Sequence, residues 1–185
     1  MTRYLRWALA PLAVLSLAAC GGDGGKSDST TEPSSLTLAA TLQDDEAFGT
    51  LKQVLTNAGL IEVLEGTGPY TVFAPADAAF TTAGSDTDFT AEAMRAPAAA
   101  LLRAHIVPGA LTRADIGAAI DSGGTGTIQM RTMADTLLSF TRDGDALVVT
   151  APDGARAHLT GSEALVRNGV VQPIDALLIR PTPVD

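Results

Sequence analysis

The stretch GPYTVFAPADAAF, Gly68 to Phe80, packs a chain break, a strand and a helix start into one short segment. Gly68 and Pro69 end whatever helix precedes them. Tyr70-Thr71-Val72-Phe73 is an uncharged, β-branched and aromatic run, the composition of a buried strand. Pro75 stops the strand, Asp77 or a neighbour caps the short helix that follows, and Phe80 is spaced to return that helix to the core. Asp77 reads as a helix cap or as a buried acceptor for backbone amides. No second carboxylate stands in a motif relation to it, so no acid–base role is expected.

Working outward, Phe48, Leu51, Val54, Leu55 and Ala58 recur at three- and four-residue spacing, one face of an amphipathic helix within Asp44 to Leu64. Gly59 ends it, and Leu60 to Leu64 forms a second helical turn. After a loop from Thr81 to Asp88, Pro97 stands at a first helical position. It opens an Ala-rich helix to His105 whose buried side is Leu101, Leu102 and Ile106, and Pro108-Gly109 closes the helix. Thr112 and Asp115 have capping-box spacing for a short helix through Ala119, followed by the loop Gly123 to Gly126.

From there the pattern turns to strands. Leu138, Phe140 and Arg142 alternate before Asp143-Gly144, and Ala146, Val148 and Thr150 alternate after it, which predicts a hairpin with a type I′ turn. Ala157 to Leu159 and Ala164 to Val166 are shorter strand candidates. Asn168-Gly169 supplies another tight turn before Val170 to Ile179. Helices in the first half, strands in the second and one early strand among the helices make the class α+β.

The N-terminus carries Arg3 and Arg6, an apolar run from Trp7 to Leu17, and then Ala18-Ala19-Cys20, the pattern of a secretory signal peptide over residues 1–19. The apolar run is shorter than the ~20 residues that span a bilayer. Cys20 is the single cysteine, so it forms no internal disulfide, and it stands where bacterial lipoproteins are acylated. Residues 20–35 are then the acylated cysteine and a Gly/Ser/Thr/Asp tether without aliphatic residues, giving a reach on the order of 20 Å. Cleavage before Cys20 leaves 166 of 185 residues and, with Arg3 and Arg6 gone, takes the formal charge from −9 to −11. With two lysines, Lys26 and Lys52, such a chain lacks the basic patch a nucleic acid needs. Residues 36–181 are enough for one domain with its own core.

Catalytic and metal chemistry find little support. His105 and His158 are the only histidines and neither has metal-ligand spacing. His105, beside an apolar helix face, reads as a core histidine bonded to a backbone or carboxylate partner. No Gly-x-Ser-x-Gly elbow occurs, Gly123-Gly124-Thr125-Gly126 lacks the Gly-Lys-Ser/Thr ending of a phosphate loop, and Asp86 and Asp88 are an isolated pair rather than a calcium loop. No cofactor is expected.

Three segments, GPYTVFAPADAAF, LLRAHIVPGALTRADI from Leu101 to Ile116 and NGVVQPIDALLIRP from Asn168 to Pro181, occur in the order seen in the fasciclin domain family, and the chain resembles that family from Leu36 to Pro181. The resemblance implies a single wedge-shaped β-sandwich with helices along one edge. It makes Thr71, Phe73, Pro75, Asp77, Phe80, His105, Pro108, Gly109, Asn168, Gly169 and Asp175 motif positions of mainly structural use. Ala104 stands where many members have tyrosine, and Gln172-Pro173 replaces a common His-Val. Glu163-Ala164 and Ala104-His105 occupy the places of proposed integrin contacts, so integrin binding is not implied. The expected function is that of a lipid-anchored module of the bacterial cell envelope, at the outer membrane, cell surface or periplasm. It would touch the membrane through Cys20 and bind a protein or glycan in adhesion. The other class is a carrier of an apolar small molecule, carotenoid- or lipid-like, in a groove left by the small side chains of Ala96 to Ala104. Close packing of that helix against the sheet is the simpler use of the same residues.

Overall fold

The computed structural model describes residues 32–83 and 88–180. The signal segment, Cys20 and most of the tether, with Asp86, lie outside the described residues. Among the described residues no helix is long and apolar enough to cross a membrane.

The first half is helical: α1 (Leu38–Asp44), a 3-10 turn (Glu46–Phe48), α2 (Gly49–Ala58) and α3 (Ile61–Glu65) precede β1 (Tyr70–Pro75). Thr37 caps α1 by accepting the Ala40 N–H. Gly59, at φ +68°, ends α2, its N–H reaching the Leu55 and Thr56 carbonyls. Then come α4 (Asp77–Ala83), a 3-10 turn (Glu92–Met94), α5 (Arg95–Ala104), the short β2 (Ile106–Pro108) and α6 (Arg113–Ser122). The helices outrun the sequence reading in two places. α4 extends to Ala83 where a loop was expected from Thr81, and α6 reaches Ser122 instead of Ala119. Pro97 is the third residue of α5, not the first; its missing N–H still falls in the opening turn, where no intrahelical acceptor exists. The capping box of α6 is complete, Thr112 and Asp115 bonding each other's backbone N–H.

The strands β3 (Thr127–Arg131), β4 (Leu137–Asp143), β5 (Ala146–Thr150) and β6 (Arg156–His158) form one antiparallel sheet in sequence order. The second sheet has the order β2-β1-β8-β7, where β7 is Ala164–Val166 and β8 is Gly169–Ile174. Its central pair, β1 with β8, is parallel and joins segments about a hundred residues apart. β1 is buried on both faces, so it reads as a continuous apolar run rather than an alternating one. Val72 and Ala74 enter the core beneath α1, α2, α3 and α5, while Phe73 enters a second core between the two sheets with Phe140, Val149, Ile116 and Ile174. Phe73 and Phe140 meet at a ring-centroid distance of 5.3 Å. Complete burial of such a ring is worth about 2–3 kcal/mol. The molecule is thus a mixed α+β fold of one domain, with a helical layer over one sheet and a second sheet over its other face.

Both predicted turns lie one residue from their expected places. Asp143 pairs with Ala146, so the hairpin turn is Gly144-Asp145, with positive φ at Gly144 alone; that is the type II′ requirement, not type I′. Val166 pairs with Gly169, so the second turn is Arg167-Asn168. On β5 the set Ala146, Val148, Thr150 faces away from the intersheet core, which takes Leu147 and Val149 instead.

The β7 and β6 edges are closed by identifiable contacts. The expected tether ends earlier than Ser35, because Ser34 forms a parallel bridge with Val166: the Ser34 N–H donates to Leu165 O at 2.9 Å and the Arg167 N–H to Leu36 O at 3.1 Å. β6 is joined to β8 by the Leu159–Ile174 bridge and by Asp175, whose Oδ1 accepts the His158 N–H at 2.7 Å. Pro173, in a central strand, tolerates its missing donor because β7 pairs only as far as Val171; beyond that point its carbonyl accepts the Thr160 N–H at 2.8 Å.

Candidate functional site

The three signature segments converge on the start of β1, where Tyr70 lies between Pro108 and Gly169. Thr71, fully buried, donates its hydroxyl to Gly109 O at 2.7 Å and accepts the Leu111 N–H at 2.9 Å, so it fixes the chain leaving β2. Gly109 in turn donates its N–H to Pro69 O at 2.9 Å. Pro108 is exposed at the end of β2 and Pro75 pairs with Ile174 at the end of β1.

Asn168 is the centre of this junction. It is 4% exposed. Its Oδ1 accepts the Leu38 N–H at 2.8 Å and its Nδ2 donates to both Leu64 O and Gly66 O at 2.8 Å. Its backbone carbonyl accepts the Tyr70 N–H at 3.1 Å. One amide side chain, with all but one of its hydrogen-bonding positions filled, therefore ties the start of α1 and the end of α3 to the start of the β1–β8 pair.

His105 lies at the C-terminal end of α5 with 1% exposure. Nδ1 contacts Leu101 O at 2.8 Å and Nε2 accepts the Leu178 N–H at 2.9 Å, an arrangement that requires the neutral Nδ1–H tautomer. Both partners are backbone. Burial pushes the imidazole down to about 4, opposed only by the Leu101 carbonyl. The folded value lies below the ~6.5 of an exposed histidine, so this group's contribution is complete above pH 6.5 and is lost as pH falls toward 4, by about 3 kcal/mol in all. We expect the urea midpoint to drop between pH 7 and 5, and the His105→Gln variant to lose part of that slope. An identical slope in the variant would remove His105 as the cause.

Asp77 caps a helix, but across the fold: its Oδ1 accepts the Thr50 N–H at 2.7 Å at the start of α2, a helix without a local side-chain cap. Phe80 packs edge-on to Phe89 at 6.2 Å. Asp175 holds exposed His158 through both its N–H and Nδ1. Asp88 is bonded to Thr90, which lowers its pKa, and no group of three metal-ligating side chains occurs among the described residues.

One cluster carries no motif signal in the sequence. Gln172, fully buried, donates to Leu111 O and Glu163 Oε2, and accepts from Arg113 Nε at 3.1 Å. Arg113 also donates to the Gly161 and Thr160 carbonyls, and its own N–H reaches Glu163 Oε2 at 2.8 Å. Gln172 and Glu163, both departures from the family pattern, thus complete each other with Arg113. A buried glutamine in an otherwise apolar strand is the only sequence signal that points to them.

Thr71, Asp77, His105, Asn168 and Asp175 are thereby engaged in contacts that close the fold. A family model described as the fasciclin domain matches residues 46–180. The chain belongs to the fasciclin domain family. This fasciclin domain is similar to protein sll1483 of Synechocystis sp., 28% identical over 151 residues covering 80% of this chain and 76% of that protein. It is 30% identical over 150 residues to human Stabilin-1, covering 79% of this chain but 5% of that protein. Among solved structures, a FAS1 domain pair from the insect cell adhesion molecule Fasciclin I matches with a TM-score of 0.68 at 17% identity, over 80% of this chain and 51% of that one. The fasciclin chain therefore spans a small part of Stabilin-1 and about half of the Fasciclin I pair.

Proposed function

We propose that the chain is a lipid-anchored interaction module of the cell envelope, held at the membrane through Cys20 and serving adhesion through a protein or glycan partner. The observation that carries this reading is the engagement of Asn168, His105, Thr71, Asp77 and Gln172 inside the domain, which leaves recognition to the exposed surface. The anchor rests on the charged, apolar and small-residue pattern that ends at Cys20. A fasciclin-type fold shared with a cell adhesion molecule supports the same class of use. Support for the carrier reading is weaker. Ala98 is fully buried in the helical core and Ala104 is 7% exposed, so the inward small side chains of α5 serve close packing, while Ala96 and Ala100 face out.

Cys20→Ala tests the proposal. The variant is expected to leave the membrane fraction, and cells carrying it to attach to surfaces no better than cells lacking the protein. Retention in the membrane overturns the anchor. Full attachment by cells without the protein overturns adhesion, and a stoichiometric apolar compound extracted from the native protein would replace it with the carrier reading.

A further inference from the structure

Beyond β8 the chain runs on from Asp175 to Arg180, and it is held there unlike the strand before it. As far as Asp175 the holds are main chain to main chain: the Thr160 N–H donates to Pro173 O at 2.8 Å, the Ala76 N–H to Ile174 O at 3.2 Å and the Asp175 N–H to His158 O at 3.3 Å. Over residues 176–180 no backbone group bonds another backbone group among the described residues. Two N–H groups of this strap are bonded, and both donate to ionisable side chains. Leu178 donates to His105 Nε2 at 2.9 Å, and Arg180 to Asp153 Oδ2 at 2.7 Å. The exposed Arg180 guanidinium adds one bond, to Gly154 O at 3.1 Å.

The strap also straddles the two cores. Leu177 is buried in the helical core and its neighbour Leu178 in the intersheet core, while Ile179 and Ala176 lie half-buried against the same two clusters. It forms one wall of a cleft of about 200 Å³, opposite Ala79 and Thr82 of α4 and Ala155.

His105 holds Leu178 only while Nε2 lacks a proton. Nδ1 already gives its proton to Leu101 O, so a second proton enters at Nε2, where it faces the Leu178 N–H and leaves two donors without an acceptor. No carboxylate bonds the ring among the described residues. β2 has no ionisable side chain, and β1 has Tyr70 at the end away from Phe73, whose N–H donates to His105 O. On α5, Arg95 is at the opposite end and Arg103 is exposed. Around the strap, Asp175 holds His158, and Asp153 holds the Ala155 and Arg180 N–H groups.

We propose that residues 176–180 are an acid-released latch with His105 as its catch: a proton on Nε2 ejects Leu178 and opens one end of both cores while the sheets stay folded. Covered, the imidazole sits at about 4; wetted by the departure of the strap, it returns to the ~6.5 of an exposed histidine. Protons therefore favour the open strap as pH falls from 6.5 toward 4, and from pH 7 to pH 5 its population rises about twenty-fold. Opening turns Leu177 and Leu178 toward water and widens the cleft, so the module shows apolar surface in acid that it hides at neutral pH. The latch does not depend on what the module binds.

Amide hydrogen exchange by NMR, on residues 20–185 carrying Cys20→Ser and with rates divided by the intrinsic rate at each pH, tests the latch. The Leu178 amide is expected to be less protected than that of Phe73 and to lose about twenty-fold in protection between pH 7 and 5. It should also be indifferent to urea below the unfolding transition, because a local opening exposes little surface. His105→Gln, whose amide can accept from Leu178 and donate to Leu101 without titrating, is expected to keep the protection at pH 7 and lose most of the fall. The parent alone separates local from global release: equal protection and equal urea dependence at Leu178 and Phe73 overturn the latch, as does a Leu178 protection that is the same at pH 7 and pH 5. A fall of equal size in His105→Gln removes His105 as the catch and overturns it too.

Discussion

Asn168→Asp is expected to destabilise the domain by about 4 kcal/mol or more, enough to lower its melting temperature by roughly 10 °C. The substitution is nearly isosteric, so packing is preserved and the effect isolates the amide protons. Nδ2 donates to the Leu64 and Gly66 carbonyls, and an aspartate oxygen there would face two acceptors in a site that is 4% exposed. Only the bond from the Leu38 N–H survives. Asn168→Ala removes the side chain altogether and should cost about 3 kcal/mol, less than the aspartate, because no buried charge is left behind. Thermal and urea unfolding of both variants give the comparison. A melting temperature for Asn168→Asp within a degree or two of the parent would mean that the junction does not bear on global stability.

Gly169→Ala should be at least as harmful. A Cβ there would land on the Tyr70 carbonyl oxygen and come within 2.9 Å of Leu38 Cδ1. The obstacle is backbone, so it cannot rotate aside; relief requires β1 to part from β8, and that pair carries both cores. A loss above about 3 kcal/mol, or failure to fold, is expected. Gly124→Ala is the control. It also has positive φ, +67°, but its Cβ meets nothing within 4 Å, so it should cost about 1 kcal/mol from conformation alone. Equal losses at the two positions would refute the close approach of Tyr70 to Gly169.

The same two residues explain what was and was not legible in the sequence. Val72, Phe73 and the α6 capping box were legible because their signals are local: side-chain shape in a strand, and a hydroxyl three residues from a carboxylate. Asn168-Gly169 carries the local signal of a two-residue turn, yet the turn falls on Arg167-Asn168. Each residue serves a distant partner. Asn168 directs its amide to Leu38, Leu64 and Gly66, and Gly169 is small to let Tyr70 approach, uses that turn propensity cannot distinguish from its own. Asp77 is a similar case, a carboxylate at a helix start that caps a different helix, 27 residues earlier. The Arg113–Glu163–Gln172 cluster was illegible because it depends on which segments become neighbours.

The pairing of Ser34 to Leu36 along β7 also has a mechanical side. Any load arriving through the preceding segment meets the Ser34–Leu165 and Arg167–Leu36 bonds first, then the Leu38 N–H held by Asn168. The strand runs parallel to β7, so a pull along its axis loads those bonds together instead of one after another. Tension would therefore have to break the Asn168 junction before it reached the α1 core. A module that holds a cell against flow would then yield at the rate at which one buried asparagine lets go, and Asn168→Ala would shorten its lifetime under force more than its lifetime at rest.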